Sequence, residues 1–381
     1  MDCADRHLME YGTAPDVVVR VPEVITFIGE FAEESNGCAL CGTGPAGLYA
    51  SVSLRNDDSV HLSNASSGDH KHFTLSNIKY RKEDKWANYV KGVVVSLCKK
   101  GCALKGFDIA FSGDMLGYDS SSVASAMAVS VCVSLDRLQN LGLGKGDIVA
   151  VSTNAIEGFC LEKASQRILK TMVNAEEGKL VWFDMETGIL STVPCISSEA
   201  GYSFFLVDAM ISPHAMREEI DDRHVIVRQS LVSLRKHYRG SVRKLPVRDI
   251  RQRVFPLDGE SVKSCCFIYD EYQAALQVFN GISSGDLSVA GKAMNQFDKQ
   301  MRDVMELSCP EIDWLLKRMS ETQGCIGACL CCRGIGGTVA MVASAEASSN
   351  YLANIADYER IFGFKASVTR YLPGPGVVVL T

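Results

Sequence analysis

Apolar residues recur along the chain with two periods, and together they predict both strands and helices. Short apolar runs at 17–28 and 107–111 indicate strands. Between residues 86 and 97 the apolar positions recur every three or four residues on one face, which predicts a helix. The serine run at 120–122 suits the start of a longer helix of small residues that extends to about residue 138.

The second half of the chain carries more helical periodicity than the first. Helical spacing occurs in the segments 222–239, 262–279, 288–306 and 311–320. Strand-like runs return after residue 327. A single hydrophobic core rarely serves more than about 250–300 residues, and this chain has 381. We therefore predict an α+β protein of two domains, residues 1–199 and 200–381.

Charge and composition weigh against several classes of protein. Charged residues make up 22% of the chain, both signs are interspersed, and the formal net charge is −6, which argues against a surface that grips a nucleic-acid backbone. No run reaches the roughly 18 apolar residues of a membrane-spanning helix, and the polar start lacks a signal-peptide profile. We expect a cytosolic monomer that binds neither nucleic acid nor membrane.

The chain has 15 cysteines, and the densest group is Cys325, Cys329, Cys331 and Cys332. A structural zinc site needs two spaced pairs of ligands, and this C-x3-C-x-C-C run has no second pair. We interpret these residues as small buried hydrophobic side chains of a strand pair.

Three glycine- or serine-rich elements are candidates for chemistry. They are Gly29-Glu30 at the end of the first strand, Gly117 with Ser120, Ser121 and Ser122 at the start of a helix, and Gly334, Gly336 and Gly337 before a valine-rich strand. A helix N-terminus suits an anion, and glycines permit a close backbone approach. Each element alone also has an ordinary explanation: a solvent-facing turn residue, a plain serine cap and a plain hairpin.

The order of these elements resembles the three motifs of the GHMP kinases, and within that superfamily the galactokinases. Residues 25–30 followed by Asn36-Gly37 resemble the signature V-N-L-I-G-E-H-x-D-Y-N-G-G. Residues 86–92 are similar to W-x-N-Y-x-K-G, and residues 308–313 to S-C-P-E-L-D. The resemblance extends over essentially the whole chain. It implies the two-domain GHMP kinase fold, with a ribosomal-S5-like N-terminal domain and a helix-rich α+β C-terminal domain.

The resemblance also implies roles for individual residues. Glu30 and Glu33 bind the sugar in this interpretation. The nucleotide is bound by Gly117, Ser120, Ser121, Ser122, Gly334, Gly336 and Gly337, and Ser120 and Ser121 also contact a metal ion. ATP and Mg²⁺ are the cofactors implied, and a small sugar and a nucleotide are the partners.

Several positions depart from the family pattern around the sugar and the transferred phosphoryl group. Val24 stands where the family has an Arg, Phe31 where it has a His, Glu33 where it has an Asp, and Ile220 where a Tyr lines the sugar pocket. Phe31 cannot accept a hydrogen bond from a hydroxyl, and an unpaired hydroxyl in a closed site costs about 1–3 kcal/mol. We therefore expect altered or weakened sugar binding.

The catalytic position departs as well. Matching on Gln166 puts Ser165 where the family's catalytic Asp is expected, and a serine at neutral pH cannot take the proton from the sugar hydroxyl. We predict that Glu162 lies one helical turn earlier on the same face, from where its carboxylate could partly substitute. The alternative is that Glu162 is an exposed helix residue.

Two functions remain open on these residues. The first is a galactokinase-like sugar kinase that transfers the γ-phosphate of ATP to the 1-hydroxyl of a hexose, with impaired or altered sugar specificity. The second is a non-catalytic galactokinase-like paralogue that binds a small molecule or has a regulatory role. Phosphoryl transfer depends mainly on positioning and electrostatics, so loss of a general base, which alone costs about 10²–10⁴ in rate, need not abolish the first function.

The phosphate loop predicts weak nucleotide binding. The loop that ends at Ser122 is shorter than the family's P-x-G-x-G-L-S-S-S, and it places Asp119 beside the serine run. Like charges 4 Å apart cost about 4 kcal/mol at an effective dielectric near 20. We predict that Asp119→Asn strengthens ATP binding in a calorimetric titration. An unchanged or weaker affinity would show that this carboxylate does not face the phosphates.

Overall fold

The computed structural model describes residues 3–117, 120–195, 201–211, 217–252, 254–331 and 337–380. The helices are α1 (Cys3–Tyr11), α2 (Ala32–Ser35), α3 (Ala87–Lys99), α4 (Ser120–Gln139), α5 (Lys145–Thr153), α6 (Gln166–Asn174), α7 (Arg217–Arg235), α8 (Val247–Arg251), α9 (Gly259–Ser284), α10 (Leu287–Asp303), α11 (Pro310–Glu321), α12 (Ala345–Asn354) and α13 (Tyr358–Phe362). The strands are β1 (Val17–Ile28), β2 (Cys38–Leu54), β3 (Ser59–Asn64), β4 (Asp69–Thr74), β5 (Phe107–Ser112), β6 (Lys179–Asp184), β7 (Leu190–Pro194), β8 (Tyr202–Asp208), β9 (Cys325–Cys331), β10 (Thr338–Ser344), β11 (Ser367–Tyr371) and β12 (Val378–Val379). A π-helical turn covers Asn154–Phe159, and 3-10 turns cover Lys82–Asp84, Asp114–Gly117 and Val242–Lys244.

The predicted α+β class is confirmed, and most of the predicted elements are present. The helical spacing at 86–97 corresponds to α3, and the serine-led helix is α4. The sequence pattern missed the length of β2, because its 17 residues are buried with little alternation between apolar and polar positions. It also missed α1 and α12, which have short and weakly apolar faces.

Contacts within the chain divide it into two compact units. The first unit consists of Met1–Val24, Thr43–Glu177 and Gly374–Thr381, and the second of Ile25–Gly42 and Gly178–Pro373. The predicted boundary at Glu199 lies outside the described residues. Each observed unit consists of separate segments of the chain, so the division does not reproduce a single boundary at Glu199. The reason is that β1 and β2 are long enough to have residues in both units. The domain ranges 1–199 and 200–381 therefore stay a prediction.

One sheet has the strand order β12-β1-β2-β5-β3-β4, and in addition β6 pairs with β2 and β7 pairs with β6. Strands β12, β5, β3 and β4 belong to the first unit, and β6 and β7 to the second. Strands β3 and β5 are parallel, with Val60 opposite Phe107, whereas β2 and β5 are antiparallel. Helix α4 is long and apolar enough by composition to cross a membrane from Ser121 to Gln139, but 61% of that window is buried inside the protein. A buried core helix has the same composition, so α4 is weak evidence for a membrane span.

The second unit has an antiparallel sheet in the order β11-β8-β10-β9, with hydrophobic cores on both faces. Alternate residues of each strand enter different cores, as the period of two requires. Phe204 and Cys329 lie in the core that also contains apolar residues of α9 and α10, whereas Phe205 and Leu330 lie in the core with α11 and α12.

The cysteine interpretation is confirmed where the structure describes it. Cys329 and Cys331 are fully buried in β9, and Cys325 is half-buried at its start. Cys332 lies outside the described residues. Within the described part of the chain, no group of three or more His, Cys, Asp or Glu side chains is placed to hold a metal ion.

We predict that Gly92→Ala destabilises the protein by about 1–3 kcal/mol, because a Cβ there would stand 2.7 Å from the carbonyl oxygen of Ala155 in the π-helical turn. The matched control is Gly146→Ala in α5, where a Cβ meets nothing within 4 Å. That change should raise the free energy of unfolding by about 0.5 kcal/mol. Urea unfolding of both variants checks the pair. If both variants changed the free energy of unfolding equally, α3 would not be tightly packed against the π-helical turn.

Candidate active site

Glu30 occupies a fixed position at the end of β1. Gly29 precedes it with a φ of 95°, and any Cβ at this residue would overlap the backbone carbonyl of Cys38 on the neighbouring strand β2. Only glycine fits such a turn. The next backbone N–H, that of Phe31, donates a hydrogen bond to Glu271 Oε1 on α9 at 3.2 Å. These constraints hold the buried Glu30 carboxylate inside the second unit.

His224 of α7 lies between two carboxylates of the second unit. Its Nε2 is 3.4 Å from Glu30 Oε1, and its Nδ1 is 3.2 Å from Glu34 Oε1 on α2. Arg228, one turn further along α7, places Nη1 3.9 Å from the same Glu34 oxygen. The Glu34 side chain is only 2% exposed. We call these four residues the Glu30 cluster.

The electrostatics of the Glu30 cluster favour a charged imidazolium. Burial lowers the pKa of His224, but the two adjacent carboxylates of Glu30 and Glu34 outweigh that effect and raise the pKa to about 9. His224 is therefore protonated at neutral pH. Two carboxylates, one imidazolium and one guanidinium give the cluster no net charge, so it suits hydrogen bonding to a neutral polar molecule better than binding an ion.

Two positions that depart from the family pattern are core residues of the second unit. Phe31 is fully buried, its ring lies 4.5 Å from the His224 ring, and it meets Phe267 edge-on at 5.5 Å. Ile220 is 3% exposed and belongs to the same hydrophobic core. Packing therefore explains both apolar side chains. Glu33 lies half-buried in α2 beside the Glu30 cluster.

The prediction that Glu162 and Ser165 share a helical face is wrong. A π-helical turn ends at Phe159, Leu161 adopts a left-handed φ of 60°, and α6 begins only at Gln166. The extra residue of the π-turn and the left-handed residue after it break the helix between α5 and α6. Both candidate residues therefore lie in a loop of the first unit.

Each of these two loop residues has a local contact. Glu162 is exposed and accepts a hydrogen bond from the Tyr89 hydroxyl at 2.8 Å. Burial and this hydrogen bond raise the pKa of Tyr89. Ser165 is the N-cap of α6, and its Oγ accepts from the Ile168 backbone N–H at 3.4 Å. The hydroxyl of Ser165 thus has a capping role.

The W-A-N-Y-V-K-G segment stabilises its own surroundings. Trp86 is the residue before α3, and its ring meets Phe111 edge-on at 5.9 Å. The Asn88 side chain donates to the Arg81 carbonyl at 2.7 Å, and Lys91 pairs with Asp84. Trp86 and Tyr89 are half-buried, whereas Ala87, Asn88 and Val90 of the same turn are buried.

The nucleotide-binding candidates are only partly described. Gly117 ends a 3-10 turn, and Ser120 is the first residue of the 20-residue α4. The side chain of Ser121 is exposed, and that of Ser122 is half-buried. Gly337, in the second unit, has a φ of 61°, and a Cβ there would stand 2.7 Å from Ile211. Packing alone accounts for glycine at 337. Gly334, Gly336 and Asp119 lie outside the described residues.

Sequence reasoning missed His224 and Glu34 as partners of Glu30. His224 belongs to the D-D-R-H segment that follows Ile220, and Glu34 lies four residues after Glu30. The sequence therefore contained a His and two Glu, without any local pattern that joins them. A spacing of four residues places Glu30 and Glu34 close together only because the chain turns into α2.

Known proteins resemble this chain over most of its length. The family model "GHMP kinases C terminal" matches residues 273–358. The chain is 27% identical over 390 residues to a "Putative galactokinase" of Treponema pallidum, covering 98% of this chain and 95% of that protein. It is 22% identical to a galactokinase of Clostridium perfringens, covering 94% of this chain and 93% of that protein.

Solved structures share the fold. Lactococcus lactis galactokinase complexed with galactose matches with a TM-score of 0.86 and 20% identity, covering 99% of this chain and 98% of that one. Mevalonate kinase of Methanococcus jannaschii matches with a TM-score of 0.60 and 13% identity, covering 93% and 97%. The predicted GHMP kinase fold is confirmed.

We predict that His224 makes stability pH-dependent on the alkaline side. Its folded pKa of about 9 lies above the ordinary 6.5, so the stabilisation is complete below about pH 6.5 and is lost as the pH rises through about 9. A shift of this size corresponds to about 3 kcal/mol. His224→Gln should therefore lower the free energy of unfolding most near pH 6 and least above pH 9, as measured by urea unfolding at each pH.

The control for this experiment is His237→Gln, which changes an exposed histidine of the same unit. It should leave the free energy of unfolding within about 0.5 kcal/mol of the unchanged protein at every pH. If the His224→Gln penalty were the same at all pH values, the role of His224 would be packing rather than charge.

Proposed function

Since this chain is a divergent member of the galactokinase family within the GHMP kinases, we propose that it is a sugar kinase. In this proposal it transfers the γ-phosphate of ATP to the 1-hydroxyl of a hexose, with altered sugar specificity. The observation that carries the proposal is the buried Glu30 carboxylate, held by His224 at the position where the family resemblance implies sugar binding.

At the sugar end, Glu30 acts as a hydrogen-bond acceptor for a hydroxyl, and Glu33 is the second candidate. A hydrogen bond to a charged group contributes about 1.5–3 kcal/mol, and His224 keeps the Glu30 carboxylate oriented. Phe31 and Ile220 lie in the core and offer no polar atom to a sugar. This chain therefore lacks the His and Tyr that the family resemblance implies for galactose, which supports a different hexose or weaker binding.

At the phosphate end, the N-terminus of α4 presents backbone N–H groups and serine hydroxyls, which suit phosphate oxygens. Ser120, Ser121 and Ser122 would bind the phosphates, together with Gly117, Gly334, Gly336 and Gly337. No carboxylate cluster for a metal exists among the described residues. The residues present fit a Mg²⁺ ion held mainly by nucleotide phosphates, with Ser120 and Ser121 as its protein contacts. When bound, Mg²⁺ neutralises phosphate charge.

Proton transfer is the weak part of this mechanism. Ser165 caps α6, and the exposed carboxylate of Glu162, bound by Tyr89, is the candidate base in the same loop. Phosphoryl transfer depends mainly on positioning and electrostatic stabilisation, so a kinase with a poor base remains active at a reduced rate. Val24 adds to the reduction, since it provides no cation for the developing charge.

A second function is favoured by a specific observation. The Ser165 hydroxyl caps a helix and Phe31 lies in a closed core, so two family positions of catalysis and sugar binding have structural roles here. A non-catalytic paralogue that binds a sugar or nucleotide as a ligand or regulator accounts for these roles.

We further propose that the protein acts in the cytosol as a monomer, as its composition suggests.

We expect slow phosphorylation of at least one hexose and little of galactose in a coupled assay with saturating ATP and Mg²⁺. Glu30→Gln should raise the KM for the preferred hexose by about 10- to 100-fold, because a charged acceptor is lost. The control is Glu219→Gln, an exposed residue of α7, which should leave KM unchanged. Thermal unfolding of both variants shows whether either change acts through stability.

Other results of the same experiment would contradict the proposal. Galactose turnover on the ordinary enzyme scale of about 1–10³ per second would contradict altered specificity. Calorimetric binding of a sugar or nucleotide without turnover would favour the non-catalytic function. Absence of both binding and turnover would reject both functions.

A further inference from the structure

A cavity of about 430 Å³ lies at the C-terminal end of α7, within the second unit. Its polar lining includes Asn36, Glu186, Arg235, Tyr238, Arg239 and Ser241. None of the residues of the Glu30 cluster lines it, and the proposed phosphoryl transfer does not use it. We call it the α7 cavity.

The one carboxylate in the lining of the α7 cavity is already neutralised. Glu186 is bound by Arg243 Nε, by Lys244 Nζ at 3.5 Å and by the Ser241 hydroxyl at 2.9 Å. Arg243 also pairs with Asp184 at 2.9 Å. The positive charges that remain in the lining are therefore those of Arg235 and Arg239.

Arg235 and Arg239 have no acidic partner in the part of the chain that the structure describes. Both are exposed, and they stand four residues apart around the end of α7. Cations at a helix C-terminus stabilise the helix by about 0.3–1 kcal/mol, which is the ordinary explanation for such residues. That explanation does not account for the cavity that both side chains line, or for the neutralised Glu186 in the same lining.

The aromatic wall of the α7 cavity is held in place. Tyr238 is half-buried, and its ring packs against Phe255 with the centroids 6.0 Å apart. Asn36 follows α2 with a left-handed φ of 55°, and its carbonyl accepts a hydrogen bond from Arg243 at 3.4 Å. The lining of the cavity thus combines fixed hydrogen-bonding groups with two guanidinium groups that have no acidic partner among the described residues.

We propose that the α7 cavity binds a small phosphate monoester that also carries hydroxyl groups, of about the size of a hexose monophosphate. Arg235 and Arg239 bind the phosphate, because the planar fork of a guanidinium matches two phosphate oxygens. Asn36, Tyr238 and Ser241 contact the hydroxyls. The volume lies in the range of small-molecule sites, about 300–1,000 Å³. This binding does not depend on phosphoryl transfer by the protein.

Calorimetric titration without nucleotide tests the proposal, with glucose 6-phosphate, free glucose and inorganic phosphate as probes. The unchanged protein should bind glucose 6-phosphate more tightly than either of the other two. The double change Arg235→Gln with Arg239→Gln should weaken that binding at least tenfold. The matched control, Lys236→Gln with Arg248→Gln, removes the same charge from exposed residues outside the cavity and should leave the affinity within about twofold.

Several results would overturn the proposal. They are the absence of binding to the unchanged protein, equal weakening by the control variant, and weakening by Glu30→Gln with the arginine double variant unaffected. The last result would place the phosphate ester in the proposed active site instead. If the arginine variant lowers the unfolding temperature and leaves the affinity unchanged, the arginines serve only the helix.

A conservative variant keeps the test decisive if the double variant fails to fold. Arg239→Lys retains the charge and removes the planar fork, so it should weaken glucose 6-phosphate binding at least about threefold while the unfolding temperature stays unchanged. An unaltered affinity in this variant would contradict bidentate binding by Arg239.

Discussion

The second unit depends on the balance of charge around His224. Glu30 and Glu34 are buried carboxylates, and removing either from water is costly unless a cation meets it. His224 contacts both through its two ring nitrogens, and Arg228 approaches Glu34 from the same helix. This arrangement connects the end of β1, helix α2 and helix α7. If the imidazole lost its proton, the buried carboxylates of Glu30 and Glu34 would both face a neutral ring and lose the cation that lies between them.

The apolar residues around the Glu30 cluster follow from that constraint. Phe31 packs against the His224 ring and against Phe267, and this contact excludes water from one side of the imidazolium. Ion pairs are stronger where water is excluded. Phe31 and Ile220 are core residues beside a histidine of α7 that contacts Glu30. The family resemblance concerns the strand and turn that hold Glu30.

In the first unit the predicted catalytic residues have local roles. Ser165 caps α6, and Glu162 accepts a hydrogen bond from Tyr89 across the loop that follows the π-turn. Asn88 and Lys91 hold the segment that precedes α3. These contacts stabilise the local structure of the first unit. Chemistry in this unit would rest on the N-terminus of α4, where Ser121 is exposed and Ser122 half-buried, because the start of a helix suits an anion.

The sequence by itself determined the α+β class, the positions of α3, α4 and the later helices, and the resemblance to the GHMP kinases. Periodicity and motif order are local properties that need no knowledge of the folded chain. The sequence also indicated Glu30, because a glycine turn followed by an acidic residue can be recognised from two adjacent residues. The Glu30–His224 contact, the two-unit division and the π-turn that separates Glu162 from Ser165 were decided by tertiary structure. Such features depend on which distant segments pack together, and neither side-chain spacing nor composition contains that information.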